Sequence, residues 1–478
     1  MGVSLLFAGV LLLWASDSTA AFIKEWPITD LQHLVPPSNP RGNSVPLTDP
    51  PYHAAGYIHP ENTEDAKLFY FYFQERNKSP DAPLLFWTNG GPGCSSMLGL
   101  FTENGPYKIQ EDLTLRWSEF GWDIGQNIIF VDQPVGTGFS YSHDTGDYVH
   151  YEAGVGADML AFFVEFLEIH PELKGKDFYL SGESYAGHYL PAIADSIHKN
   201  ADSLDLKLKG VLMGNPMTNP LAISLSYPKF AEANGLISKK LAASIREEED
   251  ECIEFDRECQ ATKGFYACYD AAEECNLVNW DPVIDANPDI NYYDIRKKCA
   301  GSLCYDYSLI TKFLNDPGVQ KILGVHKRWS ECTSHVMREM YGDLAINMGV
   351  QVRELLNDGI RFMVYVGDQD LICNWMGNKA WLDGMAWDKS SKWTGKLSDW
   401  GFTSKSGQAV VAGQCEATEP LTFCRVYQAG HMVPTDQPEA AFDIVRRFID
   451  ERKFVPTDSP TAMDRSALRL RERKIITT

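Results

Sequence analysis

The sequence predicts an α/β fold, a mostly parallel sheet with helices on both faces. Seven short runs rich in aromatic and β-branched residues, at 67–75, 83–88, 127–132, 177–181, 208–213, 361–366 and 421–427, are each bounded by turn residues and read as strands. Several are apolar at odd and even positions alike, a pattern that suits a strand covered on both sides. Helical patterns at 152–169, 188–199, 347–357 and 438–451 lie between them and supply that cover. With 478 residues, 44% of them hydrophobic and only 23% charged, the chain can bury a large core and is neither disordered nor fibrous.

Taken in order, the chain opens with a continuous apolar run, Leu5 to Trp14, followed by Ser18-Thr19-Ala20, which reads as a signal peptide over residues 1–20. The run is about half of the roughly 20 apolar residues a spanning helix needs, so no membrane anchor is expected. Pro36, Pro37, Pro40, Pro46, Pro50 and Pro51 make residues 21–52 an extended leader or propeptide-like arm without strand or helix periodicity. Residues 53–220 and 341–453 form the two parts of the core, and 454–478, with Arg465, Arg469, Arg471, Arg473 and Lys474, a mobile tail.

Residues 221–340 break the alternation of strand and helix. After the charge run Glu247-Glu248-Glu249-Asp250-Glu251 comes a cysteine-dense stretch, and the segment reads as a disulfide-rich helical insertion, or cap. Cys252, Cys259, Cys268 and Cys275 are symmetrically spaced, so outer-to-outer and inner-to-inner bridges would staple a helical hairpin. Zinc is the rival, but no CxxC pair or histidine partner stands there. Eleven cysteines point to an oxidising, secretory compartment, in which Asn77-Lys78-Ser79 is a usable glycosylation sequon. The formal charge of −22 argues against nucleic acid as a partner.

Gly182-Glu183-Ser184-Tyr185-Ala186-Gly187 holds the GxSxG pattern, entered by a predicted strand and left by a predicted helix, as in a nucleophile elbow. A serine hydroxyl needs a base, and the base needs an orienting acid. Gly367-Asp368-Gln369-Asp370 and Gly430-His431 each follow a predicted strand, where this class of fold keeps its chemistry. His188 remains a rival base and Asp368 a rival acid. An oxyanion would need backbone donors from Tyr185 and from the glycine loop Asn89-Gly90-Gly91-Pro92-Gly93-Cys94. That loop lacks the lysine and spacing of a phosphate-binding loop, which discounts nucleotides.

WTNGGPGCSS at 87–96, GESYAG at 182–187, GDQDLICNWMGNKAW at 367–381 and AGHMVP at 429–434 together resemble the serine carboxypeptidases of the carboxypeptidase Y type. The resemblance spans about Ala55 to Asp450 and implies an α/β-hydrolase fold. It makes Ser184 the nucleophile, Asp370 the acid, His431 the base, and Gly91 and Tyr185 the oxyanion donors. Asn89, Gly90, Glu103 and Glu183 become the grip on the substrate's terminal carboxylate, and Met217, Leu371, Ile372, Cys373 and Met432 the substrate pocket. It pairs Cys252 with Cys275, Cys259 with Cys268, Cys299 with Cys304 and Cys94 with Cys332, and leaves Cys373 a free thiol. Cys415 and Cys424 depart from that pattern and would bridge across the turn before the last strand. The implied activity is release of single residues from peptide and protein C-termini through an acyl-enzyme at acidic pH, with neither metal nor cofactor, on a vacuolar, lysosomal or extracellular route. An acyltransferase or esterase on the same scaffold, or a catalytically idle binding relative, is the alternative. Glu183, where transferases of the family commonly carry Asp, favours the peptidase.

Overall fold

The structure is a computed structural model that describes residues 24–27 and 51–454. The expected signal peptide, most of the expected leader and the tail from residue 455 lie outside the described residues. Thirteen strands are described: β1 (Lys24–Pro27), β2 (His53–Ile58), β3 (Leu68–Phe73), β4 (Leu84–Thr88), β5 (Tyr107–Ile109), β6 (Leu115–Trp117), β7 (Asn127–Val131), β8 (Asp177–Glu183), β9 (Lys207–Gly214), β10 (Arg361–Gly367), β11 (Ser398–Thr403), β12 (Ala409–Thr418) and β13 (Leu421–Val426). β5 and β6 form a small hairpin, and the other eleven make one sheet in the order β1-β2-β3-β7-β4-β8-β9-β10-β13-β12-β11. Its six central strands, β7 to β13, run parallel. Antiparallel strands complete both edges.

The sheet is apolar on both faces for a visible reason. Phe69, Phe71 and Phe73 of β3 face one layer, whereas Leu68, Tyr70 and Tyr72 face the other. α1 (Glu152–Ile169) and α2 (Ala186–Lys199) cover the second face through Phe162, Phe166, Leu190 and Ile193. The helix Pro438–Ile449 covers the first through Ile444, Val445 and Phe448. Burying one Phe or Leu side chain is worth about 1.5–3 kcal/mol, so these two layers carry most of the drive to fold.

Between β9 and β10 stand helices at Pro220–Ser224, Tyr227–Ala233, Lys239–Thr262, Phe265–Cys275, Asp281–Asp285, Ser308–Leu314, Pro317–Leu323, Ser334–Glu339 and Gly349–Asn357. The first part of this segment has its own core of Ile223, Tyr227, Phe230, Ala242, Ile245 and Val283. Its later part does not: Ile310, Phe313, Leu314, Leu323 and Trp329 pack into the layer that covers the sheet. The segment expected as one inserted unit thus divides, because only the sheet offers enough apolar surface to bury this second group. A further difference lies in the leader, where Lys24–Pro27 pairs antiparallel with β2 and occupies the backbone donors and acceptors of what would be a bare edge. The hairpin of β11 and β12 and the helix Trp375–Gly384 carry glycines within short runs, which hid them from periodicity.

Candidate active site

β8 ends at Glu183 and α2 begins at Ala186, leaving Ser184 and Tyr185 to turn the chain. Ser184 takes φ 67°, a left-handed conformation that a residue with a Cβ keeps only when its surroundings fix it. Here Ser184 N donates to Gly214 O at 3.1 Å, and Ser184 O accepts from Gly187 N and Met217 N, each at 2.9 Å. The motif glycine at 182 is a packing requirement, since a Cβ there would lie 2.5 Å from Thr88 O of β4.

β10 and β13 are parallel neighbours, so the loops that leave them emerge at one edge of the sheet. His431 Nδ1 lies 2.8 Å from Asp370 Oδ2, and Asn215 Nδ2 donates to the same oxygen at 2.7 Å. All three side chains are buried. With the carboxylate accepting at Nδ1, the neutral imidazole presents Nε2 as an acceptor. That Nε2 is buried without a hydrogen-bond partner, and His431 and Ser184 share the wall of one cavity of about 470 Å³. The rivals are engaged elsewhere. Asp368 accepts from Gln428 N at 2.9 Å and pairs with Arg425 at 3.3 Å. His188 Nδ1 lies 2.9 Å from Asp343 Oδ2.

The glycine loop runs from the end of β4 across the turn at Ser184. Gly90 presses on the amide of Tyr185 so closely that a Cβ would sit 2.3 Å from Tyr185 N. The loop is held by the Cys94–Cys332 disulfide and by Thr333 N donating to Gly93 O at 2.9 Å. Gly91, at φ 118°, lies in the range that only glycine adopts readily.

Beside the serine stands a buried polar group. Asn89 Oδ1 accepts from Trp87 Nε1 at 2.9 Å and from Gly99 N at 3.0 Å, which fixes its amide so that Nδ2 meets Glu103 Oε1 at 3.3 Å. Glu103 comes from a π-helical turn, Gly99–Glu103. Burial, and then the adjoining Glu103, push the Glu183 carboxyl well above the ordinary value, and burial raises Glu103 as well. Two desolvated carboxyls in contact keep a proton between them. Glu103 Oε2 and Glu183 Oε2 are both buried without partners.

The rest of the cavity wall includes Met217, Ile372, Cys373 and Met432. Leu371 is not part of it; its side chain is fully buried in the core of the helical segment with Ile223 and Phe230. Tyr227, Trp280, Tyr292, Tyr293, Tyr305 and Tyr307 line the wall instead, and sequence reasoning missed them. Four of them, Tyr292, Tyr293, Tyr305 and Tyr307, cluster within 292–307, but that clustering does not by itself show which surface they meet. Burial, then Asp370 and Glu183, push the Cys373 thiol well up. Asp370, Cys373 and His431 offer ligand atoms within 4.8 Å of one another, with Asp370 Oδ2 and His431 Nδ1 already bonded to each other. Disulfides join Cys252 to Cys275, Cys259 to Cys268, Cys299 to Cys304 and Cys415 to Cys424. Asn77 is exposed in the turn between β3 and β4.

Known proteins resemble this chain over most of its length. The pattern of the serine carboxypeptidase family matches residues 45–451. Serine carboxypeptidase-like 47 of Arabidopsis thaliana is 43% identical over 401 residues, covering 83% of this chain and 78% of the relative. Serine carboxypeptidase 3 of Hordeum vulgare is 42% identical over 400 residues, covering 83% and 77%. Among solved structures, a prohormone-processing carboxypeptidase of Saccharomyces cerevisiae, Kex1Δp, superposes with a TM-score of 0.75 at 27% identity, over 86% of this chain and 93% of that one.

Proposed function

Because the chain belongs to the serine carboxypeptidase family, and is a serine-type carboxypeptidase by that membership, we propose that it releases C-terminal residues through an acyl-enzyme on Ser184. The observation that carries the reading is one cavity wall holding the strained serine, the His431 ring backed by Asp370, and the Glu103, Glu183 and Asn89 group. A substrate binds with its terminal carboxylate against Asn89 and the carboxyl pair, whose retained proton makes that pair a donor to the anion. His431 Nε2 takes the proton of Ser184 as Oγ attacks the scissile carbonyl, and the amides of Gly91 and Tyr185 receive the oxyanion. His431 then protonates the leaving amino acid, and water, deprotonated by the same ring, cleaves the ester.

Among the described residues no helix is long and apolar enough to cross a membrane. The five disulfides and the exposed Asn77 support a secretory route with glycosylation. The deciding experiment incubates the protein with an N-blocked dipeptide and its C-terminally amidated twin. Release of the last residue from the free acid, with the amide turned over far more slowly at low pH, is the expected result. Equal turnover of both would make it a general acyl hydrolase, and inertness toward both an idle relative.

A further inference from the structure

Behind the elbow, reached from the cavity wall through Tyr185, lies a second group of buried ionisable side chains that the reaction does not use. Tyr185 Oη donates to Asp343 Oδ2 at 2.7 Å, and His188 Nδ1 lies 2.9 Å from the same oxygen. The ring of Tyr185 stacks on that of His188 with centroids 4.5 Å apart. Glu152 N donates to Asp343 Oδ1 at 3.3 Å. Tyr185, His188, Asp343 and Glu152 are all at least nine-tenths buried. Glu152, His188 and Asp343 place ligand atoms within 4.8 Å of one another, yet both Asp343 oxygens and His188 Nδ1 are already committed to hydrogen bonds. Glu152 Oε1 and Oε2 and His188 Nε2 have no partner, so it is the Asp343 carboxylate alone that is fully satisfied and can serve as an anchor.

What it anchors is the residue whose amide faces the reacting carbonyl. Tyr185 occupies the N-cap of α2 without any side-chain cap bond, so the position of its backbone rests on the turn itself and on what holds its ring. Asp343 comes from a different part of the chain, the turn Tyr341–Asp343 that precedes the helix Gly349–Asn357. That turn is tied to the disulfide-stapled hairpin, because Tyr341 Oη bonds to Glu273 and its ring packs on Tyr269. A carboxylate buried among apolar side chains is costly unless its partners are exact, which makes this contact stiff.

We propose that Asp343 is a positioning residue for catalysis, holding Tyr185 through its hydroxyl and His188 so that the Tyr185 amide stays aimed at the oxyanion. The inference rests on reading Tyr185 N as an oxyanion donor. It assigns the hydroxyl of Tyr185 a role separate from its amide, and it couples the elbow to the stapled hairpin through one carboxylate.

The test is a double-mutant cycle on Tyr185→Phe and Asp343→Asn, with kcat and KM measured on an N-blocked dipeptide and on the matching ester. Tyr185→Phe keeps the amide and deletes one hydroxyl, so it reports on positioning even if Asp343→Asn folds poorly. Each single change should lower kcat by about tenfold or more on both substrates, the scale expected when a reacting group is slightly misaimed, with KM moving by less than about threefold. The double variant should be no slower than the slower single, since both remove the same link. Multiplying effects, an unchanged kcat in Tyr185→Phe, or a change confined to KM would each overturn the proposal. Ser184→Ala run alongside separates the two readings: if it stays active the serine mechanism itself fails, whereas if it is dead and Tyr185→Phe is wild type only the anchor fails.

Discussion

At the scale of single residues, the site depends on which of two aspartates two positions apart meets His431. Asp370 faces His431 and Asn215, and Asp368 faces Arg425 and Gln428. Asp370→Asn should lower kcat by on the order of 10⁴ by stabilising the wrong imidazole tautomer. Asp368→Asn should instead lower Tm, because it leaves Arg425 without its buried partner, while kcat stays within about tenfold. Ser184→Ala should fold normally and lose turnover by a factor on the order of 10⁶, read from initial rates at saturating substrate. The carboxyl pair sets the pH response. Glu103 and Glu183 are raised by burial, and the charged or polar groups facing Glu103 are Asn89, Lys108 and His431. Lys108, itself lowered by burial to about 8, does not cancel the pair's charge once pH passes that value. As pH rises the shared proton leaves and the substrate carboxylate meets like charge. KM for a free-acid peptide should therefore climb with pH while KM for its amide stays level, and Glu183→Gln should flatten the climb. Parallel KM profiles for acid and amide would remove the carboxylate grip from these residues.

At the scale of elements, the loop between β4 and the turn Gly99–Glu103 and the elbow between β8 and α2 function as one surface, since Gly90 and Tyr185 N leave no room between them. Gly90→Ala cannot be accommodated by a side-chain movement, because the three nearest contacts of the new methyl are all backbone atoms, Tyr185 N, Glu183 O and Tyr185 Cα. It should lower kcat for peptide and ester together by roughly 10² or more, the scale of a lost oxyanion donor, with little change in far-UV circular dichroism. A change in KM for the free acid alone would mean that the loop serves only carboxylate binding. The elbow was legible in the sequence because GxSxG between a strand and a helix encodes a local turn. The aromatic wall of Trp280, Tyr292, Tyr293, Tyr305 and Tyr307 was not, since these residues reach the cavity from a segment without regular periodicity.

Over the whole molecule, buried carboxyls govern how stability responds to acid. Asp132 and Asp158 are each raised to about 6, in both cases by burial first, and burial also lifts Glu152 well above its ordinary value. A carboxyl whose folded pKa exceeds its unfolded one contributes stability that is fully present below about 4 and is lost as pH rises through the folded value. His53 opposes this: lowered by burial to about 3, it costs stability as pH falls below about 6.5. Each such group changes stability by about 1.4 kcal/mol per pH unit inside its window, and the raised carboxyls outnumber the one histidine. The charge of −22 also relaxes as carboxylates protonate. Tm, measured by scanning calorimetry in matched ionic strength, should therefore be higher at pH 5 than at pH 7.5, and a lower value at pH 5 would show that His53 dominates.

The sequence by itself determined the α/β class, the strand and helix leading into and out of Ser184, and the loops ending in Asp370 and His431, because each of these is written in a window of a few residues as periodicity or turn chemistry. Tertiary structure alone decided what arrives from a distance. Asn215 reaches Asp370 from 155 positions away, and Asp343 reaches Tyr185 from 158. Leu371 turns into the helical core rather than the cavity, and the helices after residue 308 join the sheet rather than the hairpin. In each case the deciding quantity is the surface or partner that a side chain finds after the chain has closed on itself, and no local pattern of residues carries that information.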